Sequence, residues 1–200
     1  MINFNSSETK VNLLRAFAGE SQARNRYTFA ASASKSANLQ VISEVFTFTA
    51  NQEKEHAKVF YNHLIKGGSG SLEIDAAYPV DAEKDILSIL RSSQNNEFEE
   101  FENIYPIFGN IAADEGFEEI AKDFHMIAEI EKTHGNRFGI FAELIAEGKL
   151  FTCEVETGWM CLNCGHILKS TQAPLMCPVC QHNQGFFIRI SMAPYTGHCQ

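Results

Sequence analysis

No stretch of 18 apolar residues occurs in this 200-residue chain, so no transmembrane helix is expected. The opening MINFNSSETK lacks a basic stretch followed by an apolar one. No secretory signal is therefore expected, and the chain reads as cytoplasmic. Positive charge is scarce: 16 Lys and Arg against 25 Asp and Glu leave a net charge of −9. That deficit argues against general nucleic-acid binding, which needs a basic face, and against docking on an anionic membrane. A disulfide framework is missing too. Four of the six cysteines form two C-x-x-C pairs, which in a cytosolic chain indicates metal ligation. Cys153 and Cys199 are left over and receive no role.

What is present is the composition of a globular protein, 44% hydrophobic and 20% charged, enough for one large domain with a small one attached. Four long segments carry helical periodicity. The first runs from about Ser7 to Ser36, with Leu13, Ala16, Phe17, Arg24, Tyr27 and Ala31 along one face. The second runs from about Asn38 to Lys66 and stops at GGSG. A connection of roughly a dozen residues through Tyr78-Pro79 then crosses the bundle. The third starts near Asp81 as N-cap, and its stripe is Ile86, Leu90, Ser93, Phe101, Ile104, Phe108 and Ile111. Pro106 should kink it or relax a turn. The fourth follows the turn at DEG, 114–116, and Gly148 stops it. Beyond residue 148 the helical period vanishes. Residues 149–157 read as a linker and 158–200 as a small module that needs a staple such as a metal.

Carboxylates interrupt the apolar stripes. Glu20 lies on the first segment, Glu53 and His56 on the second, Glu97 and Glu100 on the third, and Glu131 and His134 on the fourth. Each is three or four residues from an inward neighbour, so all seven face one interior. An unpaired buried carboxylate costs several kcal/mol, and Arg24 is one cation against five anions. Either the groups protonate or multivalent cations neutralise them. A Glu from each of two helices plus Glu-x-x-His from each of two others is the pattern of the di-iron carboxylate bundles. Glu20 to Glu53 spans 33 residues and Glu97 to Glu131 spans 34, which suggests a duplicated helical hairpin. Oxygen-rich ligation with one imidazole per metal suits iron or manganese better than copper or zinc. Tyr27 and Tyr105 lie on or beside the same faces. Their hydroxyls either bond the ligand carboxylates or pack in the core with some other partner.

MCLNCG (160–165) and MCPVCQ (176–181) supply Cys161, Cys164, Cys177 and Cys180. Two C-x-x-C turns close a tetrahedral four-sulfur site for zinc or iron, and the spacing alone leaves the choice open. Trp159, Phe186 and Phe187 offer a small aromatic core around it.

The segments FAGESQARNRYTFAA (17–31), EKEHA (53–57), IYPIF (104–108) and DEGFEEIA (114–121), followed by the two C-x-x-C turns, resemble the rubrerythrin family over nearly the whole chain. The resemblance implies an all-α ferritin-like four-helix bundle with one long crossover at 1–148, plus a rubredoxin-like C-terminal domain of short strands and turns. It implies two irons held by Glu20, Glu53, Glu97, Glu100, Glu131 and His134, with His56 as a ligand that exchanges with Glu100 as the redox state changes. It further implies one Fe(Cys)4 centre, which zinc can replace, on Cys161, Cys164, Cys177 and Cys180. The implied activity is reduction of hydrogen peroxide to water, in oxidative-stress protection of an anaerobe or microaerophile. A rubredoxin or NAD(P)H-dependent reductase would supply electrons. Homodimers or larger oligomers, with electrons crossing between subunits, are implied as well. The second cysteine turn departs from the family pattern by ending in Gln181 rather than glycine, and the tail with His198 and Cys199 lies outside that pattern. Two rivals remain from the residues alone: a ferroxidase or iron-storage protein, and a zinc ribbon that docks partners on an inactive bundle.

Overall fold

In the computed structural model, residues 2–68 and 70–196 are described. His198 and Cys199 lie outside them. The described residues include five α-helices and a three-stranded sheet: α1 (Glu8–Ser36), α2 (Gln40–Lys66), α3 (Ile86–Glu99), α4 (Tyr105–Asp114), α5 (Glu118–Ala146), β1 (Thr152–Cys161), β2 (Ile167–Gln172) and β3 (Phe187–Arg189). A π-helical turn, Glu100–Ile104, joins α3 to α4, so the two form one stave of a four-helix bundle. The first hairpin is α1–α2, and the second is α3–α4 with α5. Ser7 caps α1 by accepting from the Lys10 amide at 3.1 Å. Glu115, at the end of α4, accepts from the amides of Glu8 (3.0 Å) and Thr9 (2.8 Å), so the second hairpin caps the first. Among the described residues no helix is long and apolar enough to cross a membrane.

Three expectations need correction. The third stave starts at Ile86, capped by Asp85 through the Ser88 amide at 2.9 Å, and not at Asp81. Asp81 instead pairs with Arg26 at 3.0 Å and accepts from Asn96 at 2.9 Å, which lengthens the crossover. The stripe past Glu99 is displaced by one residue: Tyr105, Gly109 and Ala112 are buried, and Ile104, Phe108 and Ile111 are not. The π turn is the cause, since it inserts one residue into the helical count. Pro106 demands such a relaxed turn, because it has no amide hydrogen and its ring conflicts with the carbonyl four residues back. Finally, β1 begins at Thr152, inside the segment read as a linker. Its first half is only partly buried or exposed, so no clean alternation marks it in the sequence.

The small sheet has the order β2-β1-β3, antiparallel throughout. Trp159, Cys161, Ala173, Cys177 and Phe187 form its core, with Phe186 at the margin. The Trp159 indole donates to the Ser170 carbonyl at 3.1 Å. Ile188, Met160, Leu162 and Met192 continue into the apolar cluster of the bundle. The module therefore sits at the α1–α2 turn, where Gly185 lies so close to the Asn38 carbonyl that a Cβ would stand 1.8 Å from it.

Candidate metal centres

Two aromatic layers enclose the middle of the bundle. On one side Tyr27, Phe46 and Phe138 pack together with ring centroids 5.0–5.9 Å apart. On the other, Tyr105, Phe60 and Phe124 do the same at 4.9–6.0 Å. The layers are related by sequence offset. Phe46 and Phe60 lie seven residues before and after Glu53, and Phe124 and Phe138 lie seven before and after Glu131. An offset of seven is two helical turns, which keeps each ring on its glutamate's face.

The seven residues expected to converge do so between these layers. His56 Nδ1 lies 2.8 Å from Glu131, 3.2 Å from Glu53 and 3.8 Å from Glu20. His134 Nδ1 lies 2.8 Å from Glu131, 2.9 Å from Glu53 and 3.5 Å from Glu97. Glu53 and Glu131 thus reach both imidazoles, while Glu20 goes with His56 and Glu97 with His134. The imidazole rings stack, centroids 5.5 Å apart and 14° from parallel. Glu100 joins Glu97 and Glu131 within ligand distance, and it alone among the five carboxylates is half-buried; the other four are at most 1% exposed. Tyr27 donates to Glu97, and Tyr105 donates to Glu20. Each tyrosine serves the glutamate of the opposite hairpin. Of the two roles open to these hydroxyls, both take the carboxylates.

The spans of 33 and 34 residues now have an explanation. Glu53 and Glu131 each follow the start of their own helix by 13 residues, and the turns Ala37–Leu39 and Glu115–Phe117 have equal length. The extra residue lies between Glu97 and the end of α4, where the π turn is. It sets Tyr105 eight residues after Glu97, whereas Tyr27 is seven after Glu20. The inserted residue cancels the difference, and both tyrosines face inward.

Arg24 is exposed on the outside of α1 and is no counter-ion. A long charged side chain at the edge of a stripe turns its head to water. Arg137, one turn beyond His134, is a cation that feels the cluster's carboxylates and that the sequence analysis missed. It donates to Thr49 and Gln52, each at 2.9 Å. Burial lowers its pKa, opposed by Glu97, Glu53 and Glu131. Its place three residues after the second Glu-x-x-His was the available signal.

The charge balance of the metal-free cluster is explicit. Burial lifts the Glu20, Glu97 and Glu100 carboxyls well above the usual range, and neighbouring carboxylates add to the shift. Burial opposes ionisation of Glu53 as well, yet the His134 and His56 imidazoles beside it bring it down to about 2. Burial also works against charge on the imidazoles. Glu131, Glu20 and Glu53 nevertheless raise His56, and Glu131, Glu53 and Glu97 push His134 up to about 12. Even so, oxygens of Glu20, Glu53, Glu97 and Glu131 and both nitrogens of His134 lack a hydrogen-bond partner of acceptable geometry. Buried, unsatisfied, oxygen-rich and paired around two imidazoles, these atoms fit two hard or borderline cations.

The cysteine site is simpler. Cys161 and Cys180 sulfurs are 3.7 Å apart, as are those of Cys164 and Cys177. Disulfides are excluded at that distance. It is the edge of a tetrahedron whose centre lies about 2.3 Å from each sulfur, the thiolate–metal bond length. The two turns mirror one another. Gly165 and Gln181 donate to the carbonyls of Cys161 and Cys177 at 2.8 and 3.0 Å, and both have positive φ, 75° and 62°. Gln181 therefore takes the left-handed conformation without glycine's freedom. The His182 amide still reaches Cys180 and brings that thiol down to about 5. Cys153 packs at the margin of this module as a free thiol.

Residues 11–141 match the rubrerythrin family model, and residues 159–188 match that of the rubrerythrin rubredoxin-like domain. The chain belongs to the rubrerythrin family. The rubrerythrin of Clostridium perfringens is 44% identical over 94% of this chain and 96% of its own. That of Nitratidesulfovibrio vulgaris is 43% identical over 94% and 96%. The structure of nigerythrin in its fully reduced, all-ferrous state has a TM-score of 0.62 at 25% identity and covers 94% of each chain. A bacterioferritin from Desulfovibrio desulfuricans, 19% identical with a TM-score of 0.64 over 71% of this chain and 82% of that one, shares the fold. The cofactors of the family are two irons in the carboxylate–histidine cluster and one iron or zinc in the four-cysteine site, and both donor sets here fit them. Family membership makes the chain an iron-based oxidoreductase.

Proposed function

We propose that this chain is a peroxidase that reduces hydrogen peroxide to water, protecting an anaerobe or microaerophile from oxidative stress. One observation carries the reading: a buried carboxylate–histidine cluster able to hold cations shares a chain with a four-cysteine metal site. A storage protein has no evident use for the second. The ligand set we assign is Glu20 and His56 for one ion, Glu97 and His134 for the other, Glu53 and Glu131 between them, and Glu100 on the open side.

Two ferrous ions held there supply the two electrons that one peroxide needs on its way to two waters. The protein does the rest. The aromatic layers keep bulk water out. Tyr27 and Tyr105 fix the carboxylates of Glu97 and Glu20 by donating to them, which orients their free oxygens. Glu100 can hold a proton on the open side, where burial and neighbouring carboxylates raise its pKa.

Cys161, Cys164, Cys177 and Cys180 would hold an iron that supplies electrons singly for re-reduction, with a rubredoxin or an NAD(P)H-dependent reductase as the donor to it. The module sits at the α1–α2 turn, and Glu20 is 18 residues back along α1. At 1.5 Å per residue that is about 27 Å, a span that favours delivery across a subunit interface. Exposed Phe29, Phe48 and Ile140 on the bundle supply apolar surface for a homo-oligomer.

Anaerobic mixing of the fully reduced protein with peroxide tests the assignment. Rapid oxidation of the di-iron absorption is expected, with two waters formed per peroxide. No oxidation under these conditions would overturn it. Metal analysis separates the zinc-ribbon alternative, which requires zinc in the cysteine site and an iron-poor bundle.

A further inference from the structure

A cavity of about 350 Å³ lies between α1, the π turn and the crossover segment. Its wall includes Gly19, Tyr78, Asn96, Glu100, Ile104 and Tyr105. Glu100 is the one glutamate of the cluster that is only partly buried as a residue, and it lines this cavity. The groove between α1 and α2 has no cluster member in its wall, and neither has the cavity between bundle and cysteine module.

We propose that this cavity is the portal to the di-iron cluster, and that Gly19 and Tyr78 set the size of the hydroperoxide it admits. The inference rests on the peroxidase reading for its cargo and on geometry for its route. A Cβ on Gly19 would stand 3.4 Å from Tyr78 Cε1 and 4.0 Å from Glu100 Oε1. The ring edge, the glycine and the carboxylate therefore meet within the width of one methyl group, and glycine leaves that width open. Tyr78 is pinned there. Its hydroxyl donates to the Arg15 carbonyl at 2.8 Å. On either side of it, Arg15 Nε donates to the Asp75 carbonyl at 3.1 Å and Gln22 to the Pro79 carbonyl at 3.3 Å. A fixed aperture with a carboxyl at its inner end passes hydrogen peroxide and stops branched alkyl hydroperoxides.

The test uses the iron-loaded full chain and two readouts. One is the stopped-flow rate of oxidation of reduced protein by hydrogen peroxide and by tert-butyl hydroperoxide. The other is the rate of azide binding to the oxidised protein, followed by its visible band. Gly19→Ala places a methyl in ordinary contact with Tyr78 and improves helix propensity, so it folds; Gly19→Val narrows the gap further. Both should slow peroxide and azide together, the valine by about tenfold. Tyr78→Ala should raise the tert-butyl hydroperoxide rate by about tenfold and leave iron content and spectrum unchanged. If peroxide oxidises every variant at the parental rate and azide kinetics do not move, the portal is wrong while the peroxidase stands. If peroxide fails to oxidise the parent but azide rates follow the variants, the portal stands and its cargo is another small molecule.

Discussion

The two metal centres of this chain draw on opposite ranges of sequence. The cysteine site gathers its donors from residues 161 to 180, on two tight turns of a module with a five-residue core. The carboxylate cluster gathers residues 20 to 134 from every stave of the bundle and sits between two aromatic layers. The local site has little besides the metal to hold it, since so few residues cannot bury enough apolar surface alone. The distributed site lies inside a bundle with an extensive apolar core of its own, so its scaffold does not rest on the ions alone. The two should therefore respond differently to loss of metal.

Cys177→Ser is the harshest way to separate them. It should unfold the module, because binding energy of about 10 kcal/mol or more in such sites is folding energy. Trp159 fluorescence should become that of an exposed indole, and helical circular dichroism should stay. Removing iron from the bundle should be milder, with helicity retained. Rebinding should release protons, since His56, His134, Glu20, Glu97 and Glu100 are all shifted toward their protonated forms. Apparent affinity should then fall as pH falls. Calorimetry in buffers of different ionisation enthalpy measures that release.

Gly185→Ala probes the contact between the regions. Its Cβ would collide with the Asn38 carbonyl, so docking should weaken by about 1–3 kcal/mol. Faster proteolysis between residues 149 and 152, with both metals retained, is the expected signature. The smallest effect belongs to Glu115→Gln. The Glu115 carboxylate caps α1, and hydrogen bonds from Thr9 and Glu8 outweigh burial to depress its pKa. A depressed carboxylate stabilises fully above its unfolded pKa and loses that contribution as pH falls through the folded value. The variant should lose about 1 kcal/mol at neutral pH and nothing in strong acid. Thermal melts across pH would reveal the convergence.

The contrast also explains what the sequence made legible. Two C-x-x-C turns announce themselves because the chemistry is local. The seven inward polar side chains were legible because charge on an apolar stripe violates patterning four times over, and helical period carries the eye between them. Where the period broke, legibility broke with it. Extrapolating α-helical spacing past Glu99 centred the stripe on Ile104, Phe108 and Ile111, when the π turn buries Tyr105, Gly109 and Ala112 fully and leaves Ile104 and Phe108 packed at the core's margin. Arg137 was missed because a lone arginine beyond a histidine has no pattern of its own. The start of strand β1 inside the expected linker was missed because its first half has no alternation of buried and exposed side chains to advertise it.

The π turn makes unequal what is otherwise a repeated half. Delete one residue from 100–104 and everything after it rotates by about 100°. Tyr105 would leave Glu20, and Glu100 would no longer have a widened turn to lean from. A single codon, on this view, separates a sealed cage from one with a door.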